Sequence, residues 1–179
     1  MAQAKRKKKF FDVEISAIGK TTQLQAYEIE EIEGRYIKYD LTRVLRGKGM
    51  EIQFKVILEG EKAIAEPTSV KLMPYYMKRI VRKGTNYVED SFSTEAKNAK
   101  IKIKPFLITR RKVSRAVRKA LREKCKEELV NYTKDKTTNQ IFDDILKNKL
   151  QKNLSLSLKK IYPLSACEIR VLNIEKEKK

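Results

Sequence analysis

The sequence predicts an α+β fold, a mostly antiparallel, barrel-like sheet of six or seven strands with about three packed helices in the second half. Three observations predict it. Apolar and polar residues alternate through much of the first half, as half-buried strands require. In three later stretches the apolar period changes to three-four, which lets a helix bury one face. Short connections with turn residues join neighbouring strands, and hairpin-joined strands can curl into a small barrel. At 179 residues the chain fits one domain, 10–175, between a basic tail (1–9) and a charged C-terminal tail (176–179).

The tail carries Lys5, Arg6, Lys7, Lys8 and Lys9 unbroken by acid, so it cannot build a core and is expected to stay disordered until it meets phosphate. Such a run could also serve as a nuclear-import signal. Phe11, Val13 and Ile15 alternate with polar residues as a first strand. Ile18-Gly19-Lys20-Thr21 resembles the end of a P-loop, but the motif needs a glycine where Glu14 stands. Gln23 to Glu33 is an acidic island expected to face solvent or a basic neighbour. Ile37, Tyr39 and Leu41 mark a second strand, and Ile52, Phe54, Val56 and Leu58 a third, which Gly60 turns into a short partner at Lys62 to Ala65. Between them, the loop holding Arg43, Arg46 and Lys48 among glycines can follow a phosphate backbone closely or be an ordinary hairpin connection.

From Val70 to Val81 helical spacing predicts the first helix, ending in Lys78, Arg79, Arg82 and Lys83, more cations than the helix dipole uses. Asn86 to Thr94 and Lys100 to Ile108 read as a hairpin, with Pro105 at an edge or bulge. Arg110 to Lys126 reads as a long helix with nine Lys/Arg against one acid. Val113, Val117, Leu121, Cys125 and Leu129 share its buried face, and Arg111, Arg115, Arg118, Lys119 and Arg122 its open one. Thr137 and Gln140 form a capping-box pattern for a third helix running toward Ile161 with a bend near Asn153, and Cys167, Ile169 and Val171 mark the last strand.

The net charge of +19 costs self-repulsion in a folded domain unless an anionic partner relieves it, and solubility needs far less. Nucleic acid, RNA or DNA, is the expected partner, bound through Lys5, Arg6, Lys7, Lys8, Lys9, Arg43, Arg46, Lys48, Lys78, Arg79, Arg82, Lys83, Arg110, Arg111, Lys112, Arg115, Arg118, Lys119 and Arg122. A membrane surface fits poorly, since the basic run lacks Trp and bulky apolar residues, and no apolar run reaches membrane length. Without a secretory signal at Met1 to Lys9 an intracellular protein is expected. Cys125 and Cys167, with no His in the chain, match no zinc spacing and lack a base for nucleophilic chemistry. Asp143 and Asp144 could suggest a metal nuclease, but helical neighbours diverge by about 100°, and dipole stabilisation at a helix N-terminus accounts for both. No catalysis, cofactor, metal or small-molecule substrate is expected. Tyr75 and Tyr132 are candidates for base stacking.

The segments KRIVRKGTNYVEDSFSTEAKNAKIKIKPFLITRRKVSRAVRKALREK and SLKKIYPLSACEIRVLNIEK resemble the archaeal and eukaryotic small-subunit ribosomal protein family S-three-a-e (e-S-one). Leu107-Ile108-Thr109 and Lys159-Lys160-Ile161-Tyr162-Pro163-Leu164 are the specific parts, with an earlier match at Asp40-Leu41-Thr42 and Gln53-Phe54-Lys55-Val56. The likeness runs from about Phe10 to Ile174, and Tyr27 to Glu33 departs from it. The resemblance implies a β-barrel-like body with attached helices and a cytoplasmic, ribosome-bound structural role. It places the protein on the platform, holding rRNA near the messenger exit and the rRNA 3′ end. Its partners would be small-subunit rRNA and neighbouring ribosomal proteins, with mRNA and initiation factors as further candidates. A free regulatory or chaperone-like RNA-binding factor is the alternative.

Overall fold

The computed structural model describes residues 7–60 and 62–175, in which nine strands form a mixed sheet that does not close, accompanied by four α-helices. The α+β class stands, but the sheet does not curl into a small barrel, and it has more than the six or seven strands expected. Residues 1–6 and 176–179, which include Lys5, Arg6 and the expected C-terminal tail, lie outside the described residues.

The described chain divides into two compact units, one of residues up to Tyr39 with Ile52–Thr68, the other of Asp40–Glu51 with Ser69 onward. In the first unit, β1 (Lys9–Ile15) pairs antiparallel with β2 (Lys20–Ala26), joined by a turn in which Gly19 takes a left-handed φ of 65°. Lys9 therefore opens a strand and does not belong to a tail. β2 is missed by the sequence pattern because KTTQLQA offers only Leu24 and Ala26 as apolar alternates. A short 3-10 helix at Ile29–Ile32 carries Glu30 and Glu31, and β3 (Tyr36–Asp40) pairs with β4 (Met50–Glu59). β5 is the long strand Lys62–Leu72, far beyond the expected partner at Lys62 to Ala65; its start runs parallel to β1, Val13 opposite Ala63. That parallel pairing is what makes the sheet mixed. Val13, Ile15, Ile32, Phe54 and Val56 are buried without exposure.

The second unit is built on β8 (Lys100–Thr109) and β9 (Leu164–Ile174), antiparallel over nearly their whole length. The expected single strand from Asn86 to Thr94 is two, β6 (Tyr87–Glu89) and β7 (Phe92–Glu95), which pair with successive stretches of β8. The register of β8 shifts between Lys104 and Pro105, the bulge that a proline lacking an N–H donor requires. β9 also pairs with the end of β5 around Val70. Val70 to Leu72 thus belong to a strand, and helix α1 is confined to Pro74–Ile80.

Helix α2 spans Arg115–Lys134, capped by Ser114, whose hydroxyl accepts from the Val117 N–H. It starts five residues after the expected Arg110 and runs through most of the connection expected at 131–136. Leu121, Cys125, Leu129 and Thr133 form its buried stripe. The third expected helix is two, α3 (Thr138–Leu146), with the capping box of Thr137 and Gln140, and α4 (Lys149–Lys159). The break falls at Asn148, left-handed at φ 55°, and not near Asn153; asparagine is among the few non-glycine residues that tolerate that conformation. α4 packs on α2, α3 and β9.

Candidate nucleic-acid interface

A run of solvent-facing cations gathers in the second unit, and hydrogen bonds to backbone and side-chain groups hold its parts in register. The loop after β3 folds on itself, with the Thr42 N–H and hydroxyl donating to Asp40 and the Gly47 N–H to the Thr42 carbonyl. Those bonds from Thr42 hold the Asp40 carboxyl below its ordinary range. The loop is fastened to α1 at three places. Met73 N–H donates to the Gly49 carbonyl at 2.9 Å, Arg79 Nη2 to the Gly47 carbonyl at 2.8 Å, and the Thr42 and Tyr75 hydroxyls meet at 3.1 Å. Gly49 permits this closeness, since a Cβ there would lie 2.5 Å from the Tyr75 hydroxyl. Arg43 and Arg46 are thereby carried on a structured loop rather than a slack one, beside the helix bearing Lys78 and Arg79.

Asn86 makes the next connection. Its side-chain carbonyl accepts from the Val113 N–H at 2.8 Å, its main-chain carbonyl from the Thr109 N–H at 2.9 Å, and its N–H donates to the Thr109 hydroxyl at 3.0 Å. The turn holding Arg82 and Lys83 is thus tied to the segment Arg110-Arg111-Lys112 that leads into α2. Nothing in local composition marks Asn86 as a functional residue, because its partners lie more than twenty residues away.

Arg43, Arg46, Lys78, Arg79, Arg82, Lys83, Arg110, Arg111, Lys112, Arg115 and Arg122 are exposed and form no ion pair among the described residues. Arg79 also lies over the Tyr76 ring. Lys119 is exposed with Glu123 at 3.8 Å, while Lys124 is shared by Glu127 and Glu128. Among the described residues, Arg115 and Arg122 in the first half of α2 keep exposed charge free of ion pairs, as do Lys126 and Lys134 further on. Arg118 is half-buried, its Nε without a hydrogen-bond partner. Lys7, Lys8 and Lys9 belong to the first unit and are exposed, Lys8 over the Tyr27 ring.

Lys48 is a correction. Its side chain is 9% exposed, paired with Glu168 at 2.5 Å and donating to Asn148 Oδ1 at 2.8 Å, so it serves the interior and is not presented to phosphate. Burial pushes the Glu168 carboxyl up, and Lys48 opposes that push. The stacking candidates also change. Tyr75 is engaged with Thr42 and Gly49, and Tyr132 donates to Asp144 beneath Lys136. Tyr87, which the alternation sets opposite the buried Val88, is 56% exposed, more than Tyr75 at 49%.

Asp143 and Asp144 sit late in α3, so the N-terminal dipole does not explain them; Lys147 lies 3.4 Å from Asp143, and Lys136 and Tyr132 hold Asp144. Among the described residues no three His, Cys, Asp or Glu converge as a metal site. Both cysteines are buried, and burial pushes the Cys125 thiol up to about 12. No described helix is long and apolar enough to cross a membrane.

Fold and charge define the class as a strongly basic α+β protein whose unpaired cations face solvent. The Ribosomal S3Ae family model matches residues 3–178, and the chain belongs to that family. Its members are ribosomal structural components, and the chain is not an enzyme. The chain is 26% identical to the small ribosomal subunit protein eS1 of Nanoarchaeum equitans over 182 residues, covering 97% of this chain and 92% of that one. Over 159 residues it is 26% identical to the eS1 protein of Pyrobaculum arsenaticum, covering 86% and 72%. Over 155 residues it is 27% identical to that of Halorubrum lacusprofundi, covering 84% and 72%.

Proposed function

We propose that this chain is a structural protein of the small ribosomal subunit, residing in the cytoplasm as part of the ribosome. It binds and stabilises platform rRNA near the messenger exit and the rRNA 3′ end, beside neighbouring ribosomal proteins and within reach of mRNA and initiation factors. Relatives named as small ribosomal subunit proteins support the ribosomal role. The observation that carries rRNA binding is the row of unpaired cations from Arg43 to Arg122, joined through Gly47, Gly49 and Asn86. Each phosphate contact releases condensed counterions, which makes the electrostatic attraction strong and salt-dependent. The N-terminal end of α2 adds to it: a helix dipole disfavours cations there, yet Arg115 stands in the first turn, and a phosphate would be attracted by both dipole and side chain.

The test is sedimentation of a native lysate through sucrose at low and at high monovalent salt, with the protein quantified in each fraction. Stoichiometric travel with small subunits, largely retained after the high-salt wash, is expected of a ribosomal protein whose buried contacts supplement the electrostatic attraction. Recovery near the top of the gradient, or complete loss under mild salt, would replace this reading with a free RNA-binding factor.

A further inference from the structure

One apolar hollow interrupts the cationic surface. Met77 and Val81, from α1 and its end, and Tyr87 and Phe106, from β6 and β8, line a groove of about 380 Å³ with Lys78, Glu89 and Arg170 at its margin. That volume lies toward the lower end of the range for ligand sites, about 300–1,000 Å³. Tyr87 is 56% exposed, yet its ring is held by stacking on Phe106 with centroids 5.8 Å apart, so it is an aromatic surface already ordered before anything lands on it. Arg170 donates to Glu89 at 2.9 Å. The pair sets a donor and an acceptor side by side at the rim, the pattern that a base edge carries. The same two residues also line a second hollow of about 440 Å³ with Lys104 and Arg122. An apolar, aromatic slot thus lies between cations on both flanks.

We infer that this groove takes an unpaired nucleobase of the bound RNA, stacked against Tyr87, while its flanking phosphates run from Lys78 toward Lys104 and Arg122. The inference rests on the RNA-binding reading and adds to it a subsite for single-stranded RNA. Duplex bases are stacked on one another and cannot enter; a base in a loop or bulge can. The two hollows carry Lys78, Lys104, Arg122 and Arg170 against Glu89 and Asp90, a positive balance that favours a polyanion over an apolar protein side chain as the occupant.

The test uses the full chain and two stem-loop RNAs with the same stem and phosphate count, one with an all-adenosine loop and one with abasic sugars in the loop. Stacking tolerates any base, and the wild-type protein is expected to bind the adenosine loop about tenfold more tightly. Tyr87→Leu should remove that preference and leave affinity for the abasic RNA unchanged. Since the chain contains no Trp, Tyr87→Trp adds a sole indole, whose fluorescence should be quenched by the adenosine loop alone. Equal wild-type affinity for the two RNAs, or a preference that survives Tyr87→Leu, overturns the inference while leaving RNA binding intact. Reduced incorporation of Tyr87→Leu into small subunits with unchanged binding to both RNAs would assign the groove to a protein neighbour and overturn it too. Binding of neither RNA at low salt would instead sink the RNA-binding reading beneath it.

Discussion

Lys48 and Arg46 stand two positions apart in one basic loop, yet one points its charge at the interior and the other at solvent. The difference comes from Glu168 and Asn148, which are near only after folding, and no property of the loop sequence announces them. Removing Lys48 would strand a buried carboxylate, so Lys48→Met should cost about 3–5 kcal/mol of stability in urea denaturation. It should leave the salt dependence of RNA binding as it is. Glu168 gives a pH signature of its own. Burial raises its carboxyl above the ordinary glutamate range, so the folded chain holds that proton more tightly than the unfolded one. Its contribution is full below the ordinary glutamate pKa and is lost as pH rises through the raised value. Relative to wild type, Glu168→Gln should therefore gain stability as pH rises from the ordinary glutamate pKa through that raised value. A difference that stays constant over that range would show that the carboxyl titrates as though solvated.

Helix α2 carries conflicting demands at its two ends. Lys119 and Lys124 are compensated by Glu123, Glu127 and Glu128, whereas its first turn holds cations where the dipole favours anions. Arg115→Glu should accordingly raise the melting temperature of the free protein, by the equivalent of about 0.3–1 kcal/mol, while weakening RNA binding at low salt. If stability and affinity fell together, the arginine would be serving the fold. The cationic density and apolar stripe of this helix are legible in the sequence. Its start is not, because Val113 fits the three-four spacing and hides the cap at Ser114. The same continuity of apolar spacing conceals the break between α3 and α4, where no Gly or Pro stands and Asn148 supplies the left-handed residue. β2 escapes the pattern for the opposite reason, having too few apolar residues to show a period. β4 and the first half of β8, where apolar and polar residues alternate, are legible, and so is the bulge at Pro105. Closure of the sheet is a property of long-range pairing, and the parallel pairing of β1 with β5 cannot be read from hairpin logic.

A net charge of +19 acts on the free molecule and on its complexes in opposite senses. Salt screens self-repulsion, so the melting temperature of the free protein should climb as monovalent salt is raised from low to physiological concentration. RNA affinity should fall over the same range, and Arg115→Ala with Arg122→Ala should lessen the logarithmic salt slope by about 0.7–0.9 for each phosphate the two arginines neutralise. An unchanged slope would remove those two residues from the interface. Composition makes the sign and scale of this behaviour legible, but which cations stay free is decided by Gly49, Asn86 and Glu168 through partners far apart in the chain. The buried pair also imposes a timetable on synthesis. Lys48 leaves the ribosome early, and Asn148, its hydrogen-bond partner, follows a hundred positions later. At about 5–20 residues per second the lysine waits on the order of ten seconds for that partner, and longer for Glu168. During that interval the nascent loop is a bare cation among polyanions, and only the arrival of the last strand withdraws it.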